Sequence, residues 1–506
     1  MAIGNLSIEQ YPIEQAQKIP VITNWTPVIG YMLFQDDISD LFYFKLIMEV
    51  RRVNDSGTII KTLAKLKQRR NGYSSDNAGA TQRARAFFDL RDIVNTVCVD
   101  TVFDQNYTGI DLGGQFASIH TIPNQTDRKL IFSKNGDSRR GETQINQIEI
   151  RGYQEYSTAQ DTSPTETETD NVEQTLFYMQ ATQPLSSPRN ANSDYIQTTV
   201  MGAYAMNGVS DKFLSDLERD EVSYPIIAGV NEHLAKRTFV YDDDYHTLAF
   251  LNDATNLLTN GFQLSLKYYD AENSQIGVTK YIQNITANGG ALPNTDVDED
   301  SKRLLYVGVG PKNLQNQTVD TSARPSNFSG WAYYVIQMMN ETATGNVSDK
   351  YYFIKSDFTT KTPICKGYTR RRLAWRNSLG CYDYMNFEGK NKRKIDIKRN
   401  TYESVLGYFS QSKFFYNNSQ RGKSTRSATA MTKETLQSDY MTEKDAKLIE
   451  HLLVSTRVSM IQNAFTDYEI PVVITDKSFD VKTKADTRLI RYTIQVEYAN
   501  PTNTNS

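Results

Sequence analysis

The sequence predicts a mainly β protein with an α+β part at its C-terminal end. Apolar and polar residues alternate along several short runs, which is the pattern of a strand with one buried face and one solvent face. The chain is also rich in tyrosine and phenylalanine, with 31 Tyr and 22 Phe against 3 Trp. Aromatic side chains favour the pleated surface of a sheet, and tyrosine suits half-buried faces because its ring packs while its hydroxyl stays hydrogen-bonded.

Length and composition bound the number of modules. The chain has 506 residues, of which 39% are apolar, and this corresponds to about three to four domains at roughly 150 residues each. We expect a β-rich module with one short helix over 1–115 and a second β-rich module with an exposed acidic loop over 116–250. A β-sandwich-like module over 251–360 and a C-terminal α+β module over 361–506 follow.

The cysteines and the first residues predict a protein folded in a cytoplasm. Cys98, Cys365 and Cys381 are few and widely spaced, so no disulfide framework or paired metal motif is predicted. The first residues lack the basic and apolar regions of a secretory signal. No stretch approaches about 18 uninterrupted apolar residues, which predicts no membrane segment. A net charge of -3 and a pI of about 6.0 predict no overall attraction to nucleic acid or membrane.

The first segment contains a predicted hairpin and a predicted helix. Residues 44–50 alternate with a period of two, a turn follows at 54–57, and the run 58–67 re-enters as a second strand. After a possible cap at Asp89, one helical face is formed by Leu90, Ile93, Val94 and Val97.

The second and third segments differ in how clearly they predict strands. Residues 144–156 predict a strand, whereas 157–175 are rich in Thr, Ser, Asp and Glu and predict an exposed loop. Residues 237–250 predict a strand, a turn and a strand. In the third segment, strands are predicted over 262–268, 281–286, 304–309, 331–339 and 351–355. Short strands separated by turns are typical of a sandwich.

The last segment combines a basic loop, a helix near 442–460 and a terminal β-pair. Residues 411–432 are rich in Ser, Asn and Thr and predict a flexible loop. Thr442 and Asp445 resemble a capping box, and one face of the following helix carries Leu448, Ile449, Leu452 and Leu453. The terminal pair is predicted over 469–476 and 488–498.

Motifs for nucleotide and calcium binding are incomplete. Residues 422–424 match only the end of a Walker A loop, because Asn417 stands where the first glycine belongs. Asp296, Asp298 and Asp300 resemble the first ligand positions of a calcium-binding loop. Ser301 and Val307 stand where an EF-hand requires Gly and Glu. A flexible basic loop and a solvated acidic surface are the better interpretations.

The sequence contains no residue pattern that is typical of a catalytic site. The four histidines lack metalloprotease spacing, and His246 after Asp242–Asp244 is more typical of a turn than of a metal site. No nucleophile elbow is present. Paired carboxylates for glycoside cleavage are set by geometry rather than by spacing, so that alternative stays open without support. We therefore expect no enzymatic activity and no cofactor.

Charge is unevenly distributed along the chain. Residues 366–426 carry fifteen Lys and Arg against four Asp and Glu, a local charge of +11, so the remainder carries -14. This composition is compatible with salt-sensitive binding to phosphates and equally with docking to acidic modules of a neighbouring subunit. We favour the subunit interface. The candidate interface or DNA-channel contacts are Arg370, Arg371, Arg372, Trp375, Lys390, Lys392, Arg393 and Lys394.

One phrase within this region resembles a known group of proteins. Residues 373–387, LAWRNSLGCYDYMNF, look like the L-x-W-x-N-x-L-G-G-[YF]-D-Y-[FY]-x-F segment of virion proteins of tailed phages, including crAss-like phages of gut bacteria. Cys381 replaces the commoner second glycine, which bears on the local turn. The N-terminal module and the C-terminal end are also similar to these virion proteins. The similar residues are 25–27, 44–50, 63–67, 88–93, 442–458, 471–476 and 489–498.

The resemblance implies a structural protein of the virion tail region, assembled in the host cytoplasm. Such proteins resemble strings of immunoglobulin-like β-modules that form symmetric rings around the DNA channel. The implied partners are copies of the chain itself, other tail, neck or portal proteins, and transiently the genomic DNA. The alternatives are a tail fibre or receptor- or glycan-binding protein, against which the absence of a repetitive shaft counts, and a tail-borne hydrolase, for which no residue pattern was found.

Overall fold

The computed structural model divides the chain into two compact units. Unit 1 comprises Met1–Phe358 and Arg376–Asp383, and unit 2 comprises Thr359–Trp375 and Tyr384–Ser506. The residues that the structure describes are 6–10, 21–24, 29–34, 40–53, 59–69, 84–90, 92–93, 120, 145–182, 205–206, 213–217, 236–252, 262–283, 304–316, 321–340, 348, 350–356, 369–404, 406–416, 422–441, 443–461, 469–476 and 490–505. Over these ranges strands dominate, which confirms the predicted mainly β class.

The N-terminal part of unit 1 contains eight of the described strands. They are β1 (Leu6–Gln10), β2 (Val21–Asn24), β3 (Ile29–Phe34), β4 (Phe42–Val53), β5 (Ile59–Arg69), β6 (Ala84–Asp89), β7 (Ile145–Ser157) and β8 (Thr165–Thr182). One sheet has the order β1-β3-β6 and another the order β2-β8-β7-β4-β5. The antiparallel β4–β5 pair is the predicted hairpin, and Leu46, Met48 and Val50 are buried.

One expectation for this part is corrected, and a second falls mostly outside the described residues. The exposed acidic loop predicted over 157–175 is a turn only as far as residue 164, because Thr165–Thr182 forms β8 and pairs with β7. Glu166 in β8 forms ion pairs with Lys65 and Lys67 of β5, so its charge is balanced within the sheet. The helix predicted after a cap at Asp89 would begin directly behind β6, which ends at Asp89. Residues 92–93 are helical, and 94–97 lie outside the described residues.

The rest of unit 1 is sandwich-like. Its elements are β9 (Ala205–Met206), β10 (Lys236–Val240), β11 (Thr247–Asn252), β12 (Phe262–Tyr269), β13 (Gln275–Gln283), β14 (Leu304–Gly308), α1 (Pro311–Gln315), 3-10 turns at Thr321–Ala323 and Pro325–Asn327, β15 (Tyr333–Asn340) and β16 (Tyr351–Lys355). A sheet of order β10-β16-β15-β12-β13 faces a sheet of order β14-β11-β9 across a common core. The predicted strands at 237–250 therefore lie in different sheets.

Aromatic rings fill the core between these two sheets. Tyr268 stacks on Phe328 with ring centroids 4.1 Å apart, and Tyr334 stacks on Phe353 at 4.8 Å. All four rings are at most 5% exposed. The Tyr334 hydroxyl donates to the Val309 carbonyl at 2.8 Å, so the buried polar atom is satisfied. The high tyrosine content therefore contributes directly to the core.

Unit 2 is built on one eight-stranded sheet. Its elements are β17 (Arg371–Arg376), β18 (Tyr382–Phe387), β19 (Lys392–Glu403), β20 (Tyr408–Ser410), β21 (Lys413–Phe415), β22 (Lys423–Gln437), α2 (Glu443–Val454), β23 (Val458–Ile461), β24 (Glu469–Ile474), β25 (Thr493–Tyr498) and β26 (Thr502–Asn505). The order is β18-β17-β23-β24-β25-β22-β19, and β26 also pairs with β22. The predicted terminal β-pair is confirmed as β24–β25.

The helix predicted near 442–460 is present as α2, but it ends at Val454, and Val458–Ile461 forms β23 instead. Leu448, Ile449 and Leu452 are buried, and Leu453 is half-buried. Thr442, the proposed cap, lies outside the described residues. None of the described helices has the length and apolarity needed to span a membrane.

Candidate interaction surface

The structure separates the predicted basic residues into a buried set and an exposed set. Arg371, Arg372 and Trp375 lie on β17, where Arg372 is 1% exposed and Trp375 is 0% exposed. The Arg372 guanidinium lies over the Tyr384 ring, 5.3 Å from its centroid. Arg370 is half-buried just before the strand. The side chains of Arg372 and Trp375 therefore stabilise the sheet of unit 2.

Arg371 is held by a carboxylate within the same sheet. Its Nε donates to Glu434 Oε2 at 2.8 Å and its Nη2 donates to Oε1 at 3.2 Å. The Tyr498 hydroxyl donates to the same Oε1 at 2.8 Å. Burial raises the pKa of Glu434, but the hydrogen bonds from Arg371 and Tyr498 outweigh it, so the pKa is lowered overall. Burial, followed by the bond to Glu434, raises the pKa of Tyr498 to about 12.

The other four predicted residues are exposed just before and at the start of β19. Lys390, Lys392, Arg393 and Lys394 all have solvent-facing side chains. Lys394 Nζ lies 2.7 Å from Asp396 Oδ1, and this contact lowers the pKa of Asp396. The Arg393 guanidinium lies 5.9 Å from the centre of the Tyr498 ring. These four residues are the part of the predicted set that a partner can reach.

Strand β19 forms one side of a long ribbon. It pairs antiparallel with β22 from Lys392↔Thr435 to Glu403↔Lys423, with one register shift near Asn400. Twelve residues extend about 40 Å at about 3.4 Å per residue. Nearly every β19 side chain is exposed, and among the described strands none pairs with its other edge. The flexible loop predicted over 411–432 is wrong at Lys413–Phe415, which forms β21, and again from Lys423 onward, where β22 begins. Of the Walker-like residues 422–424, Lys423 and Ser424 belong to this strand.

A small hairpin closes the ribbon. Strands β20 and β21 pair antiparallel from Tyr408↔Phe415 to Ser410↔Lys413. The two residues between them, Gln411 and Ser412, have φ of 46° and 65°. Positive φ at both positions is the geometry of a type I′ turn, whose twist matches that of the flanking strands.

Gly407 fixes how this hairpin folds back. Its φ is 99°, a backbone conformation that side chains other than hydrogen disfavour. A Cβ on Gly407 would overlap the Phe414 ring and lie 2.5 Å from the Phe415 carbonyl oxygen. Only glycine fits this close approach, so the hairpin has a defined shape.

Large apolar side chains are exposed on this hairpin. We call β19, the hairpin and β22 the arm, and residues 406–416 the tip. Phe409 is 79% exposed. The other exposed apolar residues at or near the tip are Tyr402, Leu406, Tyr408, Phe414, Phe415 and Tyr416. The rings form two pairs, Tyr408 with Phe415 at 6.0 Å and Phe409 with Phe414 at 5.2 Å. A contiguous exposed apolar patch marks an interaction site more often than a free surface.

Comparison with known proteins does not assign this chain to a family. No family model and no curated protein matches the chain. A solved structure described as a biofilm associated protein, BSP domain, is similar over 81% of this chain and 60% of that chain, with 8% sequence identity and a TM-score of 0.14. The chain thus spans about three fifths of the solved chain that it matches.

The tip was missed by sequence reasoning, although a signal was present. Residues 408–416 contain five aromatic residues in nine positions, around a polar Gln-Ser pair. Aromatic residues flanking a two-residue turn predict a hairpin. The surrounding Ser, Asn and Thr residues favoured a loop instead.

A buried polar network in unit 1 is the strongest alternative site. Asp383 is 1% exposed and accepts hydrogen bonds from Ser215 Oγ at 2.6 Å, from the Asp216 backbone N–H at 2.8 Å and from Asn377 Nδ2 at 3.1 Å. Lys236 Nζ donates to the Ser215 carbonyl at 2.9 Å. Burial, and then the negative charge of Asp216, raise the pKa of Asp383 to about 6. Because the carboxylate is enclosed and saturated with donors, its role in this geometry is to fix the chain.

The Asp and His residues considered as metal ligands do not come together in the described part of the chain. Within those residues no group of three or more His, Cys, Asp or Glu side chains is placed to hold an ion. Asp244 is buried and accepts a hydrogen bond from the Tyr241 backbone N–H at 3.0 Å, as a turn residue does. Asp296, Asp298 and Asp300 lie outside the described residues.

A cavity of about 320 Å³ lies on the outer face of the five-stranded sheet of unit 1. Tyr269 and Tyr333 stack along its wall with ring centroids 4.9 Å apart. The residues lining it are Ser265, Lys267, Tyr269, Glu272, Asn273, Tyr333, Val335, Gln337, Lys350 and Tyr352. Aromatic walls with a few polar groups are typical of small-ligand sites.

Proposed function

We propose that this chain is a non-enzymatic structural component of a tailed-phage virion, which assembles with copies of itself into a ring or tail element. Its further partners would be other tail, neck or portal proteins and, transiently, the genomic DNA. The virion assignment rests on the resemblance of residues 373–387. The docking role rests on one structural observation, the exposed aromatic tip on a basic arm.

The arm supports docking because the aromatic rings at its tip are largely exposed in a single copy. Phe409 and Tyr416 are 79% and 68% exposed, and burying such a ring stabilises a contact by roughly 1.5–3 kcal/mol. Aromatic residues are enriched at the centres of protein interfaces. Lys390, Lys392, Arg393 and Lys394 lie on the same arm, and positive charges there speed association with an acidic surface.

Solution mass and particle composition test this proposal. We expect the purified full chain to form discrete oligomers, measured by light scattering and by electron microscopy of negatively stained particles. We also expect it among the abundant proteins of purified virions of the phage that encodes it, measured by mass spectrometry. A chain that stays monomeric at about 50 µM and is absent from virions would overturn the proposal.

A tail-fibre or glycan-binding role is the second candidate, favoured by the tyrosine-lined cavity of unit 1. A sugar could lie against Tyr269 while Lys267 and Glu272 contact its polar groups. Binding of oligosaccharides to a glycan array, abolished by Tyr269→Ala, would favour this role. Oligomers that bind no glycan would favour assembly.

A further inference from the structure

The tip is accompanied by a strong local charge. Residues 390–426 contain ten Lys and Arg against two Asp and Glu, a charge of +8, while the whole chain carries -3. The rest of the chain therefore carries -11. A second copy thus carries a net negative charge outside its arm, which favours docking of the arm there, whereas two arms brought together would repel each other.

Unit 1 exposes a patch with matching chemistry where β4 begins. Phe42 is 39% exposed and Tyr43 is 54% exposed. Asp40 and Asp161 beside them are also exposed. We call Asp40, Phe42, Tyr43 and Asp161 the bulge patch, because the β4–β7 register shifts between Phe42 and Lys45.

The backbone of this patch is held in an unusual conformation. Tyr43 has φ of 58°, which is uncommon for a residue with a large side chain. Its hydroxyl donates to the Gln160 carbonyl at 2.9 Å, which joins the start of β4 to the turn that carries Asp161. A β-bulge re-aims side chains, and here the Phe42 and Tyr43 rings face solvent in a patch that also exposes Asp40 and Asp161.

We propose that the tip of one copy docks on the bulge patch of a second copy. This inference rests on the proposed self-assembly and names the surfaces that perform it. Aromatic rings of the tip cover Phe42 and Tyr43, and Lys413 together with the basic residues of the ribbon faces Asp40 and Asp161. Because the two surfaces differ, the contact is head-to-tail, and head-to-tail contacts close into rings when the rotation between copies permits.

Three variants of the full chain test the contact. The tip variant is Phe409→Ser with Phe414→Ser. The patch variant is Phe42→Ser with Tyr43→Asn, where asparagine tolerates the left-handed backbone. The control is Val278→Ser on β13, which removes a side chain that is 69% exposed and belongs to neither surface. Circular dichroism and thermal unfolding confirm that each variant is folded.

We expect the tip and patch variants each to weaken assembly at least tenfold in light scattering, and the control to behave as the unchanged chain. Mixing the two variants is the decisive measurement. The patch variant retains its tip and the tip variant retains its patch, so one competent contact remains and the mixture should form one-to-one pairs that grow no further. Raising the salt concentration should weaken these pairs.

The outcomes separate this inference from the proposed function. If the unchanged chain assembles and either variant assembles equally well, the tip-to-patch contact is wrong while self-assembly stands. A mixture that stays monomeric, or that forms full-size oligomers, also overturns the contact. An unchanged chain that never assembles overturns the proposed function, and the inference with it.

Discussion

The aromatic core of unit 1 and the tip of the arm in unit 2 use the same residue types in opposite ways. In the core, Tyr334 and Phe353 stack at 4.8 Å and are at most 1% exposed. At the tip, Phe409 and Phe414 pair at 5.2 Å, yet they are 79% and 47% exposed. The core rings stabilise the fold. The tip rings are held in shape by a turn and a glycine, which leaves their apolar surface for another molecule.

The largest expected effect is in the core. Phe353→Ala should lower the free energy of unfolding by about 3–5 kcal/mol, because it removes a buried ring and leaves a cavity beside Tyr334 and His246. Urea denaturation followed by circular dichroism measures the change. A loss below about 1 kcal/mol would contradict the assignment of this ring to a close-packed core.

Asp383→Asn tests the buried polar part of unit 1. Its pKa of about 6, against 3.8 for an ordinary Asp, means that the folded state binds the proton more tightly than the unfolded state. The contribution of Asp383 to stability is therefore greatest below about pH 4, decreases as the pH rises through 6, and changes by about 3 kcal/mol in total.

The measurement is the unfolding free energy of both proteins between pH 4 and pH 7. Relative to the variant, the unchanged protein should lose stability as the pH rises through this window. Parallel pH profiles would show that Asp383 does not titrate there. Asp396→Asn on the arm is the matched control, since that half-buried carboxylate has a lowered pKa and should give no such difference between pH 5 and pH 7.

Gly407→Ala should change the shape of the tip and leave the core unaffected. The positive φ of Gly407 disfavours alanine by about 1–2 kcal/mol, and the new Cβ would also meet the Phe414 ring. Hydrogen exchange of the Phe414 and Phe415 amides should become faster. Gly422→Ala is the control on the same arm, because its Cβ would meet Leu406 at 3.5 Å, an ordinary contact. Equal exchange rates in both variants would argue against a rigid tip.

Phe409→Ala should have the smallest effect on stability, within about 0.5 kcal/mol, because little of the ring is buried in a single copy. The same Phe-to-Ala change in the core and at the tip should thus differ by at least about 2 kcal/mol in urea denaturation. A Phe409→Ala loss as large as that of Phe353→Ala would end the distinction between the two regions.

The sequence predicts several of the strands that bury one face and misses the most exposed ones. β4, β12, β16 and β25 alternate apolar with polar residues or form short apolar runs, so their positions follow from the pattern. β19 exposes nearly every side chain, and the first half of β22 has only exposed and half-buried side chains. Their strand conformation depends on pairing in register with each other, which no local pattern encodes. The start of β8 was missed for the same reason.

The candidate site was predicted in part. Lys390, Lys392, Arg393 and Lys394 are exposed on the arm, where a partner can contact them. Arg372 and Trp375 are buried, because β17 lies between β18 and β23 in the sheet of unit 2. The Tyr384 ring also covers the Arg372 guanidinium. Local charge density gives no information on such burial, since it depends on which strands become neighbours.

Arg376–Asp383 belongs to unit 1 but follows the first segment of unit 2 in the chain, and this position limits when unit 1 can finish folding during synthesis. This short segment supplies Asn377 and Asp383, which bond to Leu214, Ser215 and Asp216 more than 160 positions earlier in the chain. Translation proceeds at about 5–20 residues per second, so those early residues wait at least several seconds for their partners. Unit 1 therefore completes its hydrogen bonding only after the ribosome has already released the beginning of unit 2.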